Sequence, residues 1–301
     1  MTAPATTTST SQSQVRYRTV QINGLDVFYR EAGPQSAPVI LLLHGFPTSS
    51  NMFRNLIPQL ASSYRVIAPD YPGFGLQTSM PDRSEFAYTF ENLTNVVDGL
   101  VKALDLKKYS LYVMDYGAPV GYRLALRHPE SVQALIIQNG NAYEEGLLTF
   151  WDPIKKYWKD STPENRQALH FLVEPKATKW QYENGVSDTT VLDPTTWALD
   201  QLGLDRPGND DIQLDLFHDY GTNVPLYPEF QAFFRKYQPP ALIVWGKNDF
   251  IFPAEGAPPY SRDLKNVETH MLDTGHFALE SHGAEIADHI LGFLRKNGIA
   301  R

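Results

Sequence analysis

The chain opens with two runs in which apolar and polar residues alternate, Val15–Ile22 and Leu25–Glu31, meeting at Asn23-Gly24. Alternation with a period of two marks half-buried strands, and Asn-Gly between them predicts a hairpin. The pattern then changes to short continuous apolar runs separated by stretches with helical spacing. Val39–Leu43 is a buried run, followed by a helix near Asn51–Leu60 and a strand at Arg65–Ala68. Phe90–Leu104 is helical, with Leu93, Val96, Val97, Leu100, Val101 and Leu104 on one stripe. Tyr109–Met114 reads as a strand, Pro119–Arg127 as a helix and Val132–Gln138 as a strand. The rhythm resumes at Ala241–Trp245 and Glu268–Leu272 and closes on a helix at about Glu285–Leu294. Strands alternating with helices predict an α/β fold, a mostly parallel sheet covered on both faces. The opening hairpin adds antiparallel strands at one edge.

Residues 143–236 interrupt that rhythm. Helix starts with capping logic occur at Ser161/Thr162 before Pro163-Glu164 and at Asp193 before Pro194, and no strand pattern is clear. Four of the five tryptophans, Trp151, Trp158, Trp180 and Trp197, fall in this stretch. It reads as a helical lid inserted into a core formed by residues 15–142 and 237–301. An aromatic lid over strand ends makes a dry, apolar pocket, although any single one of these rings is more often simple packing. Pro225, Pro228, Pro239 and Pro240 punctuate the return to the core. Residues 1–14, rich in Thr, Ser and Gln, lack the basic and apolar regions of a secretory signal and read as a disordered leader.

Composition narrows the function classes. A length of 301 residues suits one large α/β domain, or a core with an insertion. The net charge of -8 argues against a nucleic-acid partner, which needs a basic patch. The absence of cysteine excludes disulfides, thiolate catalysis and cysteine-bound zinc. The longest apolar run, Val39–Leu43, is far too short to span a membrane. The expectation is a cytoplasmic monomer or homodimer acting on a small apolar molecule.

The candidate chemistry starts at Leu111-Tyr-Val-Met-Asp115-Tyr116-Gly117-Ala-Pro-Val-Gly121, a strand, a sharp turn and a helix. A strand-to-helix elbow holds its central side chain clear of the backbone, and Gly117 suits a turn that a Cβ would crowd. Alone, Asp115 is as readily a helix cap as a nucleophile. Three more motifs follow predicted strands, at the carboxyl ends where open α/β sheets bind ligands. They are His44-Gly45-Phe46-Pro47, then Asn248-Asp249, then Asp273-Thr-Gly-His276-Phe277. Gly45 allows a close turn, and the Phe46 N–H can aim at a developing oxyanion. Singly, His44, Asp249 and His276 are ordinary loop or turn residues. In the order elbow, acid, histidine, they define a triad of Asp115, Asp249 and His276.

This ordered set resembles the α/β-hydrolase superfamily over nearly the whole chain, from about Val15 to Leu294. Aspartate at the elbow is similar to the branch of epoxide hydrolases and haloalkane dehalogenases. Asp70-Tyr-Pro-Gly73-Phe-Gly75 and Arg127-His128-Pro129-Glu130 look like that branch as well. Val113 stands where a serine-type elbow has its first glycine, and no serine in the chain is flanked by two glycines. The resemblance implies attack by Asp115 on an sp³ carbon, because attack on an acyl carbon would give a high-energy anhydride. His276 would then activate water against the ester, Asp249 would hold the imidazole, and the N–H groups of Phe46 and Tyr116 would receive the oxyanion. No metal or organic cofactor is called for.

The leaving group separates the two branches. An opened epoxide is an alkoxide, whose parent alcohol is about as weak an acid as water, so it needs a proton donor such as a tyrosine with a pKa of about 10. Halide needs only N–H donors in a dry pocket. Dehalogenases usually carry tryptophan after the nucleophile, with asparagine after His-Gly or a second lid tryptophan; here those first two positions hold Tyr116 and Phe46. The balance favours epoxide. Tyr220, in Phe217-His-Asp-Tyr220-Gly-Thr-Asn223, resembles the later lid tyrosine, although Gly221 replaces the usual arginine. Tyr157, with Tyr182 behind it, is the candidate for the other, and Tyr116 could itself turn its hydroxyl inward. In the dehalogenase alternative, Tyr116 and one of Trp151, Trp158 or Trp180 would hold halide. A non-catalytic small-ligand binder would require a broken triad.

Overall fold

The computed structural model describes residues 14–300. Residues 1–13 of the expected leader and the terminal Arg301 lie outside the described residues. Eight strands form one sheet: β1 (Arg16–Ile22), β2 (Leu25–Ala32), β3 (Val39–Leu43), β4 (Arg65–Pro69), β5 (Tyr109–Met114), β6 (Val132–Gln138), β7 (Ala241–Gly246) and β8 (Val267–Leu272). Their spatial order is β1-β2-β4-β3-β5-β6-β7-β8. β2 pairs antiparallel with β1 and β4, and every pairing from β4 to β8 is parallel.

The core helices are α1 (Leu56–Leu60), α2 (Phe90–Ala103) and α3 (Gly117–Arg127). The lid region between β6 and β7 holds α4 (Asp152–Lys159), α5 (Pro163–Gln167), α6 (Pro175–Glu183), α7 (Pro194–Leu204), α8 (Asn209–Asp219) and α9 (Tyr227–Tyr237), with short 3-10 turns and, among the described residues, no strand. After β7 come α10 (Tyr260–Asp263) and α11 (Ala278–Lys296). Thr162 caps α5 by accepting the Asn165 N–H, and Asp193 caps α7 by accepting the Thr195 N–H. No helix among the described residues is long and apolar enough to cross a membrane.

The continuous apolar runs are explained by burial on both faces. Leu41, Leu43, Leu111 and Val113 face one core layer with Leu93 and Val97 of α2 and Val120 of α3. Ile40, Leu42, Tyr112 and Met114 face the other, with Leu56 and Ile57 of α1 and Ile286 and Ile290 of α11. Two helices differ from expectation. The segment near 51–60 is a 3-10 turn, Ser50–Phe53, followed by the short α1; Pro58 has no N–H to bond the Arg54 carbonyl, so one continuous helix is interrupted there. The last helix begins earlier than its apolar pattern, at Ala278, and bends at His282. Its polar first turn is anchored by Glu280, which takes two hydrogen bonds of 2.8 Å from Arg54.

The parallel register matters most for the site. Leu43 pairs with Val113, Met114 with Gln138, and Gly246 with Leu272. The residues that follow these strands therefore emerge along one edge of the sheet, beneath the lid.

Candidate active site

Asp115 stands at the turn between β5 and α3 with φ of 53°, a left-handed conformation that costs a non-glycine residue about 1–2 kcal/mol. The surroundings hold it there. Its N–H donates to the Asn139 carbonyl at 3.1 Å, and its own carbonyl accepts from Ala118 N at 3.0 Å. A Cβ on Gly117 would lie 2.1 Å from the Leu43 carbonyl oxygen, and one on Gly45 would lie 2.2 Å from the Asp115 Cβ. The two glycines thus let the loop after β3 close against the elbow. As a result the Phe46 N–H donates to Asp115 Oδ1 at 2.8 Å, and the Tyr116 N–H donates to the same oxygen. Both backbone donors converge on one carboxylate oxygen.

His44 supports this loop. Its Nε2 accepts from the Tyr71 N–H at 3.3 Å, so Nδ1 carries the proton and donates to the Gly45 carbonyl at 2.9 Å. Burial pushes its pKa down to about 3, keeping the ring neutral. Pro47 follows the donor residue Phe46 and lines a separate cleft with Asp70 and Asp200.

Asp249 and His276 meet beside the elbow. The Asp249 Oδ2 lies 2.7 Å from His276 Nδ1 and accepts from Asn139 Nδ2 at 2.8 Å, while Oδ1 accepts from the Ile251 N–H at 2.7 Å. Asn139 ends β6 in a left-handed turn of φ 39°, and its Oδ1 accepts from Gly246 N at 2.8 Å. It ties the acid loop to the elbow loop. Phe252 stacks against the His276 ring at 5.5 Å. His276 Nε2 is 3.6 Å from Asp115 Oδ2, an ion-pair distance beyond a hydrogen bond. Burial alone would depress the imidazole, but Asp249 and Asp115 outweigh it and raise His276 to about 9. The histidine is thus an imidazolium between two acids near neutral pH.

A closed chamber lies over Asp115, lined by Phe46, Tyr116, Trp151, Leu172, Gln181, Phe217 and neighbouring apolar side chains. It has about 20 Å³ of free space, room for about one water. Tyr116 keeps a buried, unpartnered hydroxyl. Burial, and then the charges of Asp115 and Asp219, hold its pKa well above the ordinary tyrosine value.

The lid donors are placed differently from the expectation. Tyr157 does not line the chamber: its hydroxyl accepts from Arg166 at 3.1 Å, because that guanidinium also bridges Asp211 and Asp215 and draws the phenol into a lid network. Tyr182 also points elsewhere. It stacks on Phe277 at 4.0 Å and donates to Asp200, inside the other core layer. Tyr220 packs one ring behind the wall, 4.6 Å from Trp151 and 5.8 Å from Tyr116, and its hydroxyl is buried without a hydrogen-bond partner. The tryptophans are also committed. Trp151 donates its indole N–H to the Ile251 carbonyl and Trp158 to the Phe217 carbonyl, both at 2.7 Å. Trp180 is half-buried between Phe150 and Phe250.

Two polar side chains at the site were not singled out in the sequence, Asn139 and Gln181. Asn139 directly follows an apolar strand run, the same signal that marks Asp115 and Asp249. Gln181 carries no such mark. Among the described residues, the group able to converge on a metal is Glu268, His270 and His289, on β8 and α11, and none of these lines the chamber.

The chain belongs to the alpha/beta hydrolase fold family, whose pattern matches residues 38–283. It is 45% identical over 287 residues to an uncharacterized hydrolase of Saccharomyces cerevisiae, covering 94% of this chain and 98% of that one. It is 23% identical over 288 residues to epoxide hydrolase 3 of Mus musculus, covering 92% and 76% of the two chains. The crystal structure of the haloalkane dehalogenase DbeA from Bradyrhizobium elkani superposes with a TM-score of 0.77 at 22% identity, covering 95% of this chain and 99% of that one. The protein is therefore a hydrolase of the alpha/beta family with epoxide hydrolase and haloalkane dehalogenase relatives.

Proposed function

We propose that the protein hydrolyses epoxides to vicinal diols through a covalent ester on Asp115. The observation that carries this reading is the division of labour between the two oxygens of Asp115. Oδ1 is held by the N–H groups of Phe46 and Tyr116, while Oδ2 faces His276 Nε2 across 3.6 Å. Oδ2 is the free nucleophile. It bonds to an epoxide carbon, the ring C–O bond breaks, and the electron pair remains on the departing oxygen as alkoxide. Tyr116 supplies the proton, since its hydroxyl is unpartnered and the residue lines the chamber.

Forming the ester removes the charge of Asp115. One of the two acids that hold His276 at about 9 is then gone, so the imidazole pKa falls, its proton passes through solvent to the Tyr116 phenolate, and the neutral ring becomes a base. It takes a proton from a water admitted beside Nε2, and the water oxygen attacks the Asp115 carbonyl carbon. The oxyanion develops on Oδ1, already bound by two backbone donors. Collapse breaks the bond between the Asp115 carbonyl carbon and Oδ2, the proton of the newly added hydroxyl passes to the departing oxygen to complete the diol, the carboxylate is restored, and His276 is again the imidazolium. Asp249, fixed by Asn139 and Ile251, stabilises the imidazolium throughout. The lid side chains must part to admit substrate, because about 20 Å³ does not hold an epoxide.

Epoxide is favoured over halide because the indole N–H groups of Trp151 and Trp158 are bound to backbone carbonyls. The test is product release by the wild-type protein from styrene oxide and from 1-bromobutane. Diol is expected from the first. Bromide from the second with no diol from the first would replace this reading by a dehalogenase.

A further inference from the structure

Lid helix α6 buries one amide that the fold does not occupy. Gln181 is 4% exposed, and its Nε2 is buried without a hydrogen-bond partner. Hiding an amide N–H from water unpaired is costly, so such a group needs a reason. Gln181 lines the chamber that contains Asp115. It also lines an outer recess of about 550 Å³, walled by Phe150, Phe171, Leu172, Trp180 and Phe250. Phe150, Leu172 and Gln181 line both spaces and stand between them, so a passage from one to the other would have its neck at these three side chains. The rim of the recess is unusual for a surface: Phe171 is 49% and Phe250 51% exposed. Large half-exposed rings grouped beside a closed chamber mark a binding surface for something apolar.

We propose that Gln181 binds the oxygen of the substrate, and that the substrate is a terminal epoxide with a straight apolar tail lying in the recess. This rests on the function proposed above. The chamber admits only the reacting head, and the tail leaves through the neck past Phe150 and Leu172. The carboxylate of Asp115 in the same chamber favours the amide N–H, rather than its carbonyl, as the inward group. As the ring opens, charge collects on the epoxide oxygen, and the Gln181 N–H hydrogen bond strengthens with it. Gln181 keeps its proton; the proton delivered to the alkoxide comes from Tyr116. Gln181 therefore assists bond breaking and is idle during ester hydrolysis.

The test separates these stages with Gln181→Leu, which keeps bulk without a donor, and Gln181→Glu, which keeps shape but presents an acceptor. Ester formation on Asp115 is followed by protein mass in single turnover with 1,2-epoxypropane and 1,2-epoxyoctane. Both variants should alkylate about 10–100-fold more slowly, while the ester once formed hydrolyses within about twofold of wild type. Gln181→Glu should recover alkylation at acid pH, where the protonated carboxyl regains a donor. Binding of 1,2-octanediol and 1,2-propanediol, read by calorimetry, needs no turnover. Wild type should prefer octanediol, Trp180→Ala should lose most of that preference, and Gln181→Leu should weaken both diols about equally, near tenfold. Wild-type protein that forms no ester with either epoxide, yet binds octanediol through Gln181, refutes the proposed reaction while supporting the subsite. Alkylation and diol binding by Gln181→Leu at wild-type levels overturn the role of Gln181, and equal wild-type affinity for the two diols overturns the tail site.

Discussion

On the core side of the chamber the two carboxylates and the imidazole are engaged so that two of their atoms remain open. Asp249 is saturated by His276, Asn139 and Ile251, Asp115 Oδ1 by two backbone donors, and Asp115 Oδ2 and His276 Nε2 are left facing each other at 3.6 Å. On the lid side, most of these polar groups are bound within the lid or to the backbone beside it. Trp151 and Trp158 bind backbone carbonyls, Tyr157 binds Arg166, and Tyr182 binds Asp200. Gln181 Nε2 and the Tyr220 hydroxyl are left without a partner. In the proposed reaction the core half carries the charge rearrangement, and the lid half covers it. Chemistry should accordingly collapse when the core half is altered and tolerate most polar changes in the lid.

The largest effect is expected at the elbow. Asp115→Ala should lower kcat/KM by at least about 10⁴-fold while the protein stays folded by near-UV circular dichroism. Asp249→Asn comes next, with a loss of about 10³–10⁴-fold in kcat, because an amide cannot stabilise the imidazolium. The comparison would fail if steady-state rates of either variant matched those of the wild type. Tyr116→Phe should slow diol formation about 10–100-fold and leave any bromide release unchanged, a split read from paired product assays.

A smaller but more specific effect concerns pH. His276 is raised to about 9, with burial opposing and the two acids prevailing. A raised basic group adds stability that is complete below its unfolded value of about 6.5. That stability is lost as pH rises through about 9. The melting temperature of the wild type should therefore fall over this window. Asp115→Asn should shift the His276 titration, followed by NMR, to lower pH and flatten the fall; an unmoved titration would separate the two residues. The smallest effects belong to the lid: Tyr157→Phe and Tyr182→Phe should leave ester formation within about twofold, although Tyr182→Phe forfeits about 1 kcal/mol of stability with its bond to Asp200. A large loss of rate in either variant would show that these two hydroxyls contribute to chemistry.

The same contrast decides what could be read in the sequence. Asp115, Asp249 and His276 each follow an apolar run within a few residues, and parallel pairing carries such residues to one edge. Local pattern was enough. Asn139 carried the identical signal after Val132–Gln138, but its role depends on two loops meeting, which no local pattern reports. In the lid, facing is set by packing between helices. Gln181 and Tyr182 are neighbours on α6, and a helix turns neighbours about 100° apart; one reaches the chamber and the other stacks on Phe277. Aromatic composition singled out residues 143–236, but tyrosines spread along them carried no sign of which hydroxyls the segment would use internally.

The account is tested most directly by trapping the ester. His276→Gln protein, incubated with styrene oxide, digested and weighed peptide by peptide, should carry one epoxide mass on Asp115, stable for many wild-type turnovers and absent from Asp115→Asn. An unmodified Asp115 peptide, in a His276→Gln protein whose wild-type parent turns the epoxide over, would contradict the covalent mechanism.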